Sequence, residues 1–297
     1  MGKIKLGIAP IGWTNDDMPD LGAEISFERC IGEMSEAGYT GTEIGNKYPK
    51  DRKELKMALK EKGLRIANCW HSTFILTQDI KDVERDFRLR CEFLKYLGAK
   101  VIGVSEQSYS IQGKDIAVFG NKYILNDDEW TKLSDGLNHL GKTAKEYGIA
   151  MTFHHHMGTV VQNQDEIIRL MEMTDPKLVF LLFDSGHLAY CGGDYLKILN
   201  EYIGRTRHIH LKDIRPEIID KVRGEKLSFL QGVRLGAFTV PSDGAIDFAS
   251  IFEIIRNAKY KGWLLVEAEQ DPAKANPLEY AVKAKKYIDS LVERYKL

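Results

Sequence analysis

The stretch KTAKEYGIAMTFHHHMGT, residues 142–159, decides the fold because it holds one complete helix-to-strand junction. A helical pattern ends at Gly148, an apolar run follows, and three histidines stand where that run ends. Glycine readily adopts the left-handed conformation that stops a helix and turns the chain back. The stretch therefore predicts a helix, a tight turn, and a strand whose C-terminal end is polar.

The same junction recurs along the chain at intervals of roughly 30 to 40 residues, the length of one strand plus one helix. Helices are predicted at 26–38, 51–63, 79–98, 126–148, 163–175, 194–204, 247–262 and 276–296. Strands are predicted at 3–10, 39–45, 64–70, 100–107, 149–156, 178–187, 207–213 and 263–270. Eight such units favour an α/β fold of the (β/α)8 TIM barrel type over a doubly wound open sheet. No linker divides the chain, so residues 1–297 are expected to form one barrel domain.

Composition excludes several classes of function. The 42 basic and 43 acidic residues give a net charge of -1, which offers no overall attraction for nucleic acid or an anionic membrane. Apolar runs fall short of the ~20 residues that a membrane span needs, and the N-terminus lacks the pattern of a signal peptide. The four cysteines are widely spaced without a CxxC pair, which predicts reduced thiols in a cytoplasmic enzyme.

Polar side chains cluster where the predicted strands end. The C-terminal ends of barrel strands meet at one mouth, where active sites are built. Buried charges need partners, and a divalent cation satisfies several at once. A His/Asp/Glu set without cysteine favours Mn, Co, Zn or Fe. The strand-end residues are Glu43, Trp70, His71, Glu106, His154, His155, His156, Asp184, His187, His208, His210, Lys212, Asp213, Glu267 and Glu269.

Three of these groups predict a metal site. Asp184, His210 and Glu267 stand at the same depth on three successive strands, an arrangement that chance rarely produces. Side chains alternate along a strand, which places His154 and His156 on one face and His155 on the other.

Other strand-end groups have ordinary structural roles as alternatives. For His71, His155 and His208, a hydrogen-bonded core position is the favoured interpretation. Glu43 and Glu106 remain open between a role in the site and an ion pair at the rim. Two insertions, 108–125 and 214–246, also follow strand ends and so border the predicted mouth.

The motifs FDSGH (183–187), HIHLKD (208–213) and VEAEQDP (266–272) resemble the xylose-isomerase-like barrel superfamily. That superfamily includes sugar epimerases, hydroxypyruvate isomerase and apurinic nucleases of the endonuclease IV type. The resemblance implies metal ligands at Asp184, His210 and Glu267, with His187 near the substrate. His154 stands where the superfamily has a glutamate, which leaves open whether His154 binds the metal.

Longer stretches resemble the inosose dehydratases of myo-inositol catabolism. They are LGIAPIGWTNDD (6–17), VSEQSYSIQG (104–113), HHHMGT (154–159), FTVPSDG (238–244) and EAEQDPAKANPLEYA (267–281). This resemblance implies dehydration of 2-keto-myo-inositol (scyllo-inosose) to a trihydroxycyclohexane-1,2-dione, with Mn or Co and with glutathione as a further requirement. Ser242 departs from the pattern, since a glycine is expected there.

Dehydration of a β-hydroxy ketone needs a base for the α proton, an acid for the leaving hydroxyl, and a metal that polarises the carbonyl. The expected metal ligands are His154, Asp184, His210 and Glu267. The candidates for catalysis are His187, Lys212, Glu43 and His156. The candidates for contacts with a cyclic polyol ketone are Trp13, Asn15, Asn46, Gln107 and Gln112.

Several alternatives share this scaffold. A sugar or polyol isomerase or epimerase would use the same metal-enolate chemistry. An apurinic endonuclease would need a basic groove, against which the neutral charge argues, and a sugar-binding barrel without catalysis would not need the three strand-end ligands. Association into a homo-oligomer is open, with 262–269 or 108–125 as candidate interfaces.

Overall fold

A computed structural model describes residues 4–297, and Lys3 of the first predicted strand lies outside them. Its main sheet is parallel throughout. The strands are β1 (Lys5–Ile8), β2 (Gly41–Glu43), β3 (Arg65–Asn68), β4 (Trp70–Thr73), β5 (Val101–Glu106), β6 (Ala150–His154), β7 (Val179–Asp184), β8 (Thr206–Leu211), β9 (Asp213–Ile214), β10 (Phe238–Thr239) and β11 (Trp263–Val266). Strands β9 and β10 form a separate antiparallel pair.

The main sheet closes into a barrel. Its order is β3-β2-β1-β11-β8-β7-β6-β5-β4, and its two end strands are consecutive in the chain, separated by Cys69 alone. The predicted strand 64–70 is therefore part of a longer strand that is interrupted at Cys69. Its first part, β3, pairs with β2, and its second part, β4, pairs with β5. The predicted (β/α)8 fold is confirmed.

Helices pack around the outside of this barrel and over its C-terminal end. They are α1 (Phe27–Glu36), α2 (Arg52–Glu61), α3 (Ile80–Leu97), α4 (Asp127–Glu146), α5 (Gln164–Met173), α6 (Ser185–Tyr190), α7 (Tyr195–Tyr202), α8 (Pro216–Gly224), α9 (Phe229–Leu235), α10 (Phe248–Asn257) and α11 (Pro277–Tyr295). Side chains cap the first turns of most of these helices, and Asn126 and Glu129 form a reciprocal capping box at α4. Gly148 has a φ of 70°, the left-handed geometry expected at the junction between α4 and β6.

One predicted strand, 178–187, is too long. Strand β7 ends at Asp184, whose carboxylate Oδ1 accepts the backbone N–H of His187 at 2.9 Å and begins helix α6. His187 therefore lies on a helix and not on a strand. An aspartate at the N-cap satisfies an otherwise unpaired amide, which is why the chain turns helical at this residue.

Both insertions lie over the C-terminal end of the barrel and contact each other. Segment 214–246 contains α8, α9 and β10, and Ala117 of the other insertion forms a bridge with Ser228. Phe229 and Phe238 of segment 214–246 are fully buried. The segment 262–269 was a candidate interface, but it contains β11 and is buried from Trp263 onwards, so it does not offer a surface to a partner.

The barrel interior and the layer beneath the helices form a largely continuous apolar core that extends from Ile8 to Leu291. All four cysteines are free thiols. Within residues 4–297, none of the helices combines the length and the apolar character that crossing a membrane would require.

Candidate metal centre and active site

Four buried groups converge at the barrel mouth. His154 ends β6, Asp184 ends β7, His210 lies in β8, and Glu267 directly follows β11. Asp184 Oδ2 is 3.4 Å from both His154 Nε2 and His210 Nδ1, and His210 Nδ1 is 2.5 Å from Glu267 Oε2. One ligand atom from each of the four residues lies within 4.8 Å of all the others. The structure thus brings together all four predicted metal ligands, including His154.

Glu43 is bound into a network on the other side of His210. Its Oε1 lies 2.8 Å from His210 Nε2 and 3.2 Å from His208 Nε2, and it accepts a hydrogen bond from Asn68 Nδ2 at 2.8 Å. Burial alone would raise the pKa of Glu43, but His210 and His208 hold that pKa well below its ordinary value. Burial likewise opposes the charged form of His210, yet Glu43 and Glu267 raise its pKa well above the ordinary value. Glu43 therefore orients His210.

Lys212 lies beside the four converging groups and has no exposed surface. Its Nζ donates to Glu269 Oε1 at 2.8 Å and lies 2.9 Å from His187 Nε2. Burial disfavours its charge, but Asp184, Glu267 and Glu269 outweigh that effect and raise the pKa of Lys212. Burial raises the pKa of Glu269 to about 7, although Lys212 opposes the rise.

The three consecutive histidines have separate surroundings. His154 and His156 both line the cavity at the mouth, while His155 turns away and its Nε2 accepts the backbone N–H of Asp184 at 3.4 Å. His156 Nδ1 lies 2.9 Å from the Met157 carbonyl oxygen, to which it can only donate, so a neutral His156 presents an unprotonated Nε2. Burial lowers the pKa of His156 well below its ordinary value.

The mouth contains a cavity of about 120 Å³. Its lining combines the metal-competent groups with aromatic and polar side chains. These include Pro10, Asp16, Asp17, Glu43, Trp70, Gln112, His154, His156, His210, Glu267 and Glu269. The Trp70 ring meets the rings of His154 and His156 edge-on, with centroids 5.3 and 5.5 Å away. Phe229 packs against His156 from the insertion, at 5.1 Å.

Of the five residues expected to contact substrate, Gln112 lines the cavity and four do not. The indole N–H of Trp13 donates to Glu33 Oε2 at 2.6 Å, and its ring is buried in the core. Asn15 Oδ1 accepts two backbone N–H groups of its own turn. Asn46 is exposed in a neighbouring pocket, and the Gln107 amide donates to Ser105 Oγ at 3.1 Å.

Three further strand-end groups lie apart from the cavity. Glu106 accepts hydrogen bonds from the Thr73 hydroxyl and from backbone amides of 75, 76 and 108, so its carboxylate organises a loop. Asp213 does the same for amides of 214, 244 and 246. His71 packs against Phe87, with ring centroids 5.4 Å apart.

Sequence reasoning missed several parts of the site. Asp16 and Asp17 line the cavity from the loop after β1, and Asp17 Oδ2 accepts from the Gln112 amide at 2.7 Å. Their signal was the polar run TNDD that follows the first strand. Glu269 was noted as a strand-end group without a role, and Phe229 gave no local signal because it belongs to a long insertion.

The fold and site define a class that comparison with known proteins also identifies. The sequence model of the xylose isomerase-like TIM barrel family matches residues 31–291. A solved structure described as the IOLI protein with a bound zinc atom superposes with a TM-score of 0.72, covers 98% of this chain and 99% of its own, and is 17% identical. At that identity the likeness shows the fold alone.

Sequence relatives are much more similar. An inosose dehydratase of Clostridium perfringens is 58% identical over 287 residues, which cover 96% of this chain and 97% of the relative. An inosose dehydratase of Bacillus cereus is 57% identical over 286 residues, covering 96% of each chain. The chain belongs to the inosose dehydratases, a hydro-lyase family within the xylose isomerase-like TIM barrels.

Proposed function

We propose that this protein dehydrates scyllo-inosose to a trihydroxycyclohexane-1,2-dione and water, using one divalent metal held by His154, Asp184, His210 and Glu267. The observation that carries the proposal is the convergence of these four ligand atoms beside the cavity at the barrel mouth. Membership of the inosose dehydratase family supports the choice of substrate.

The residues present fit a metal ion. His210 Nδ1 and Glu267 Oε2 are 2.5 Å apart and fully buried, yet neither makes a hydrogen bond. Two buried atoms that approach without a hydrogen bond need a shared partner. Asp184, Glu267 and Glu269 also place three carboxylates around Lys212, and a divalent cation compensates the excess negative charge. Two imidazoles and two carboxylates suit Mn or Co better than Ca or Mg.

When bound, the metal supplies Lewis-acid polarisation of the substrate ketone. The two proton transfers are then carried out by cavity-lining residues that are not metal ligands. His156 presents its unprotonated Nε2 and accepts the proton from the carbon next to the ketone. Glu269, which can carry a proton at neutral pH, donates its own proton to the hydroxyl on the neighbouring carbon. A carbon–carbon double bond forms as the carbon–oxygen bond breaks and water leaves.

His187 and Lys212 support His156 and Glu269 without lining the cavity. Neither has exposed surface, and each contacts a residue that lines the cavity: Lys212 bonds to Glu269, and the His187 ring lies 3.8 Å from that of His156, centroid to centroid. Glu43 lines the cavity, but its carboxylate is held by His208, His210 and Asn68. We therefore assign Glu43, His187 and Lys212 to positioning and charge balance, and proton transfer to His156 and Glu269.

The test is incubation of purified protein with scyllo-inosose, with and without Mn²⁺ after treatment with a chelator. A dehydratase forms a product that absorbs in the near ultraviolet and has lost the mass of one water. An isomerase or epimerase conserves mass. Metal-dependent formation of the dione supports the proposal, and an isobaric product or equal rates without metal would overturn it.

Four finer points belong to the same proposal. Mn or Co is the native metal, glutathione is required, the enzyme works in the cytoplasm, and residues 1–297 act as one domain. Reconstitution with each metal in turn tests the choice of metal. Activity measured after glutathione is removed and then returned, with dithiothreitol as the control thiol, tests the glutathione requirement. Fractionation of cells tests the third, and a single unfolding transition tests the last.

A homo-oligomer is also proposed, with the 108–125 insertion at its interface. Tyr109, Ile116, Tyr123 and Ile124 expose apolar surface on this segment, and Ile124 is 68% exposed. Sizeable exposed apolar patches mark contact sites on soluble proteins. Replacement of Ile124 by aspartate should shift the mass measured by light scattering to that of the monomer. A mass that is the same for both proteins would contradict this interface.

A further inference from the structure

We infer that the Lys212 side chain fills a second cation position in the metal centre and thereby limits that centre to one divalent ion. The inference rests on the metal-dependent function proposed above.

Four potential metal ligands surround the Lys212 ammonium group. Its Nζ lies 2.8 Å from Glu269 Oε1, 2.9 Å from His187 Nε2, 3.2 Å from Glu267 Oε1 and 3.5 Å from Asp184 Oδ2. A divalent transition metal binds the same kinds of atom at about 2.0–2.2 Å. Small side-chain movements would therefore turn this ammonium site into a metal site.

Two carboxylates connect this position to the proposed metal. Glu267 directs Oε2 at His210 Nδ1, within the proposed ligand set, and Oε1 at Lys212 Nζ. Asp184 Oδ2 lies near the ligand atoms of His154 and His210 and also near Lys212. Bridging carboxylates of this kind join two ions about 3.5–4 Å apart in two-metal enzymes. Here one bridged position is occupied by a lysine.

The remaining walls of the second position are also metal-competent. Ligand atoms of His156, His187 and Glu269 lie within 4.8 Å of one another, and all three residues are buried. Lys212 Nζ contacts two of these three residues directly. The ammonium group thus lies against a ready set of ligands.

The lysine is held rigidly in this place. Its side chain has no exposed surface, and its stem packs so closely on Gly186 that an added Cβ there would lie 2.4 Å from Lys212 Cγ. The Nζ lies 4.6 Å from the centre of the Phe238 ring, a cation–π contact. A confined ammonium group excludes a second ion by both volume and charge.

The charge count agrees with this role. Asp184, Glu267 and Glu269 surround Lys212 with three carboxylates, and without its positive charge the one proposed divalent ion would leave one of these negative charges unbalanced. A buried carboxylate without a partner is strongly disfavoured, so the cluster would recruit another cation. Lys212→Ala provides both the space and the excess negative charge.

The experiment counts Mn²⁺ per chain after loading and desalting, and records the electron paramagnetic resonance spectrum. Wild type should hold one isolated Mn²⁺ with resolved hyperfine structure. Lys212→Ala should hold a second, with the broadened spectrum of two exchange-coupled ions. Lys212→Met, which fills the volume without the charge, should keep one ion and thus serves as the matched control.

A single isolated ion in Lys212→Ala would overturn the inference, as would a second ion in wild type or in Lys212→Met. Lys212→Ser supplies the same count if the alanine variant fails to fold, and Lys212→Ala combined with Glu269→Gln should lose the added ion. Absence of Mn²⁺ from folded wild type would instead refute the proposed metal centre, so the two failures are distinguishable.

Discussion

Asp184→Asn should abolish the thermal stabilisation that Mn²⁺ gives to the wild-type protein. The four ligand atoms come from four separate strands or strand ends, so the unfolded chain cannot assemble them. A ligand that binds the folded state alone stabilises it by about 2.7 kcal/mol at ~100 times its dissociation constant. For a chain of this size, ~1 kcal/mol moves the melting temperature by about 2 °C, so Mn²⁺ should raise it by about 5 °C.

The substitution removes more than this binding energy. Two unit charges ~4 Å apart interact by about 4 kcal/mol at an effective dielectric constant of about 20, and Asp184 would face a divalent ion at closer range. The asparagine oxygen can still cap α6 through the His187 amide, so the fold should persist.

Differential scanning fluorimetry with and without Mn²⁺ measures the shift, and Glu106→Gln is the matched control. Glu106 is also a buried strand-end carboxylate, but it binds backbone amides away from the ligand cluster. This control should melt at a lower temperature than wild type and keep the full Mn²⁺ shift. An undiminished shift in Asp184→Asn would refute the proposed ligand set.

Four further predictions concern single residues. Glu269→Gln should lower kcat by ~10²–10⁴-fold while Mn²⁺ still binds, because the substitution removes a proton donor and leaves the metal ligands in place. Steady-state kinetics and metal analysis of the same protein check this, and an unchanged kcat would contradict it. Phe229→Ala should reduce the free energy of unfolding by ~3–5 kcal/mol in denaturant titrations, because this fully buried ring packs on His156. A loss below ~1 kcal/mol would show that the insertion packs loosely. Burial lowers the pKa of His71 to about 4, so the unfolded chain binds a proton at a higher pH than the folded protein does. The free energy of unfolding should therefore fall as pH drops from about 6.5 towards 4. His71→Leu should flatten this part of the stability profile, and an identical profile would contradict the burial effect. Ser242→Gly should raise the free energy of unfolding by up to ~1 kcal/mol, since Ser242 has a φ of 83° that suits glycine, and a measurable loss would show that the serine side chain stabilises the loop.

The barrel and the centre of its site could be predicted because regular elements determine them. Recurring helix–glycine–strand junctions such as the one at Gly148 imply parallel strands, and parallel strands bring their ends together. Alternation along β6 then separates His155 from His154 and His156, as the structure shows. The same reasoning places Asp184 at the barrel mouth, although the predicted strand continues three residues beyond the observed end at Asp184.

The contacts of the loop side chains could not be predicted in the same way, because they depend on partners that the strand pattern does not indicate. Trp13 faces Glu33 on α1, and the Gln107 amide turns back to Ser105, so neither reaches the cavity. His187 was assigned to a strand because nothing in the apolar run signals that Asp184 will cap a helix. Phe229 covers His156 through an insertion whose path depends on tertiary contacts.

The most direct test of the metal centre is an anomalous diffraction map from crystals grown with Mn²⁺, recorded at the manganese absorption edge. We expect one peak in each chain, within bonding distance of His154 Nε2, Asp184 Oδ2, His210 Nδ1 and Glu267 Oε2. A peak that omits His154 would remove it from the ligand set. A map without a peak at the barrel mouth, from crystals of protein that turns over scyllo-inosose, would contradict the metal mechanism itself.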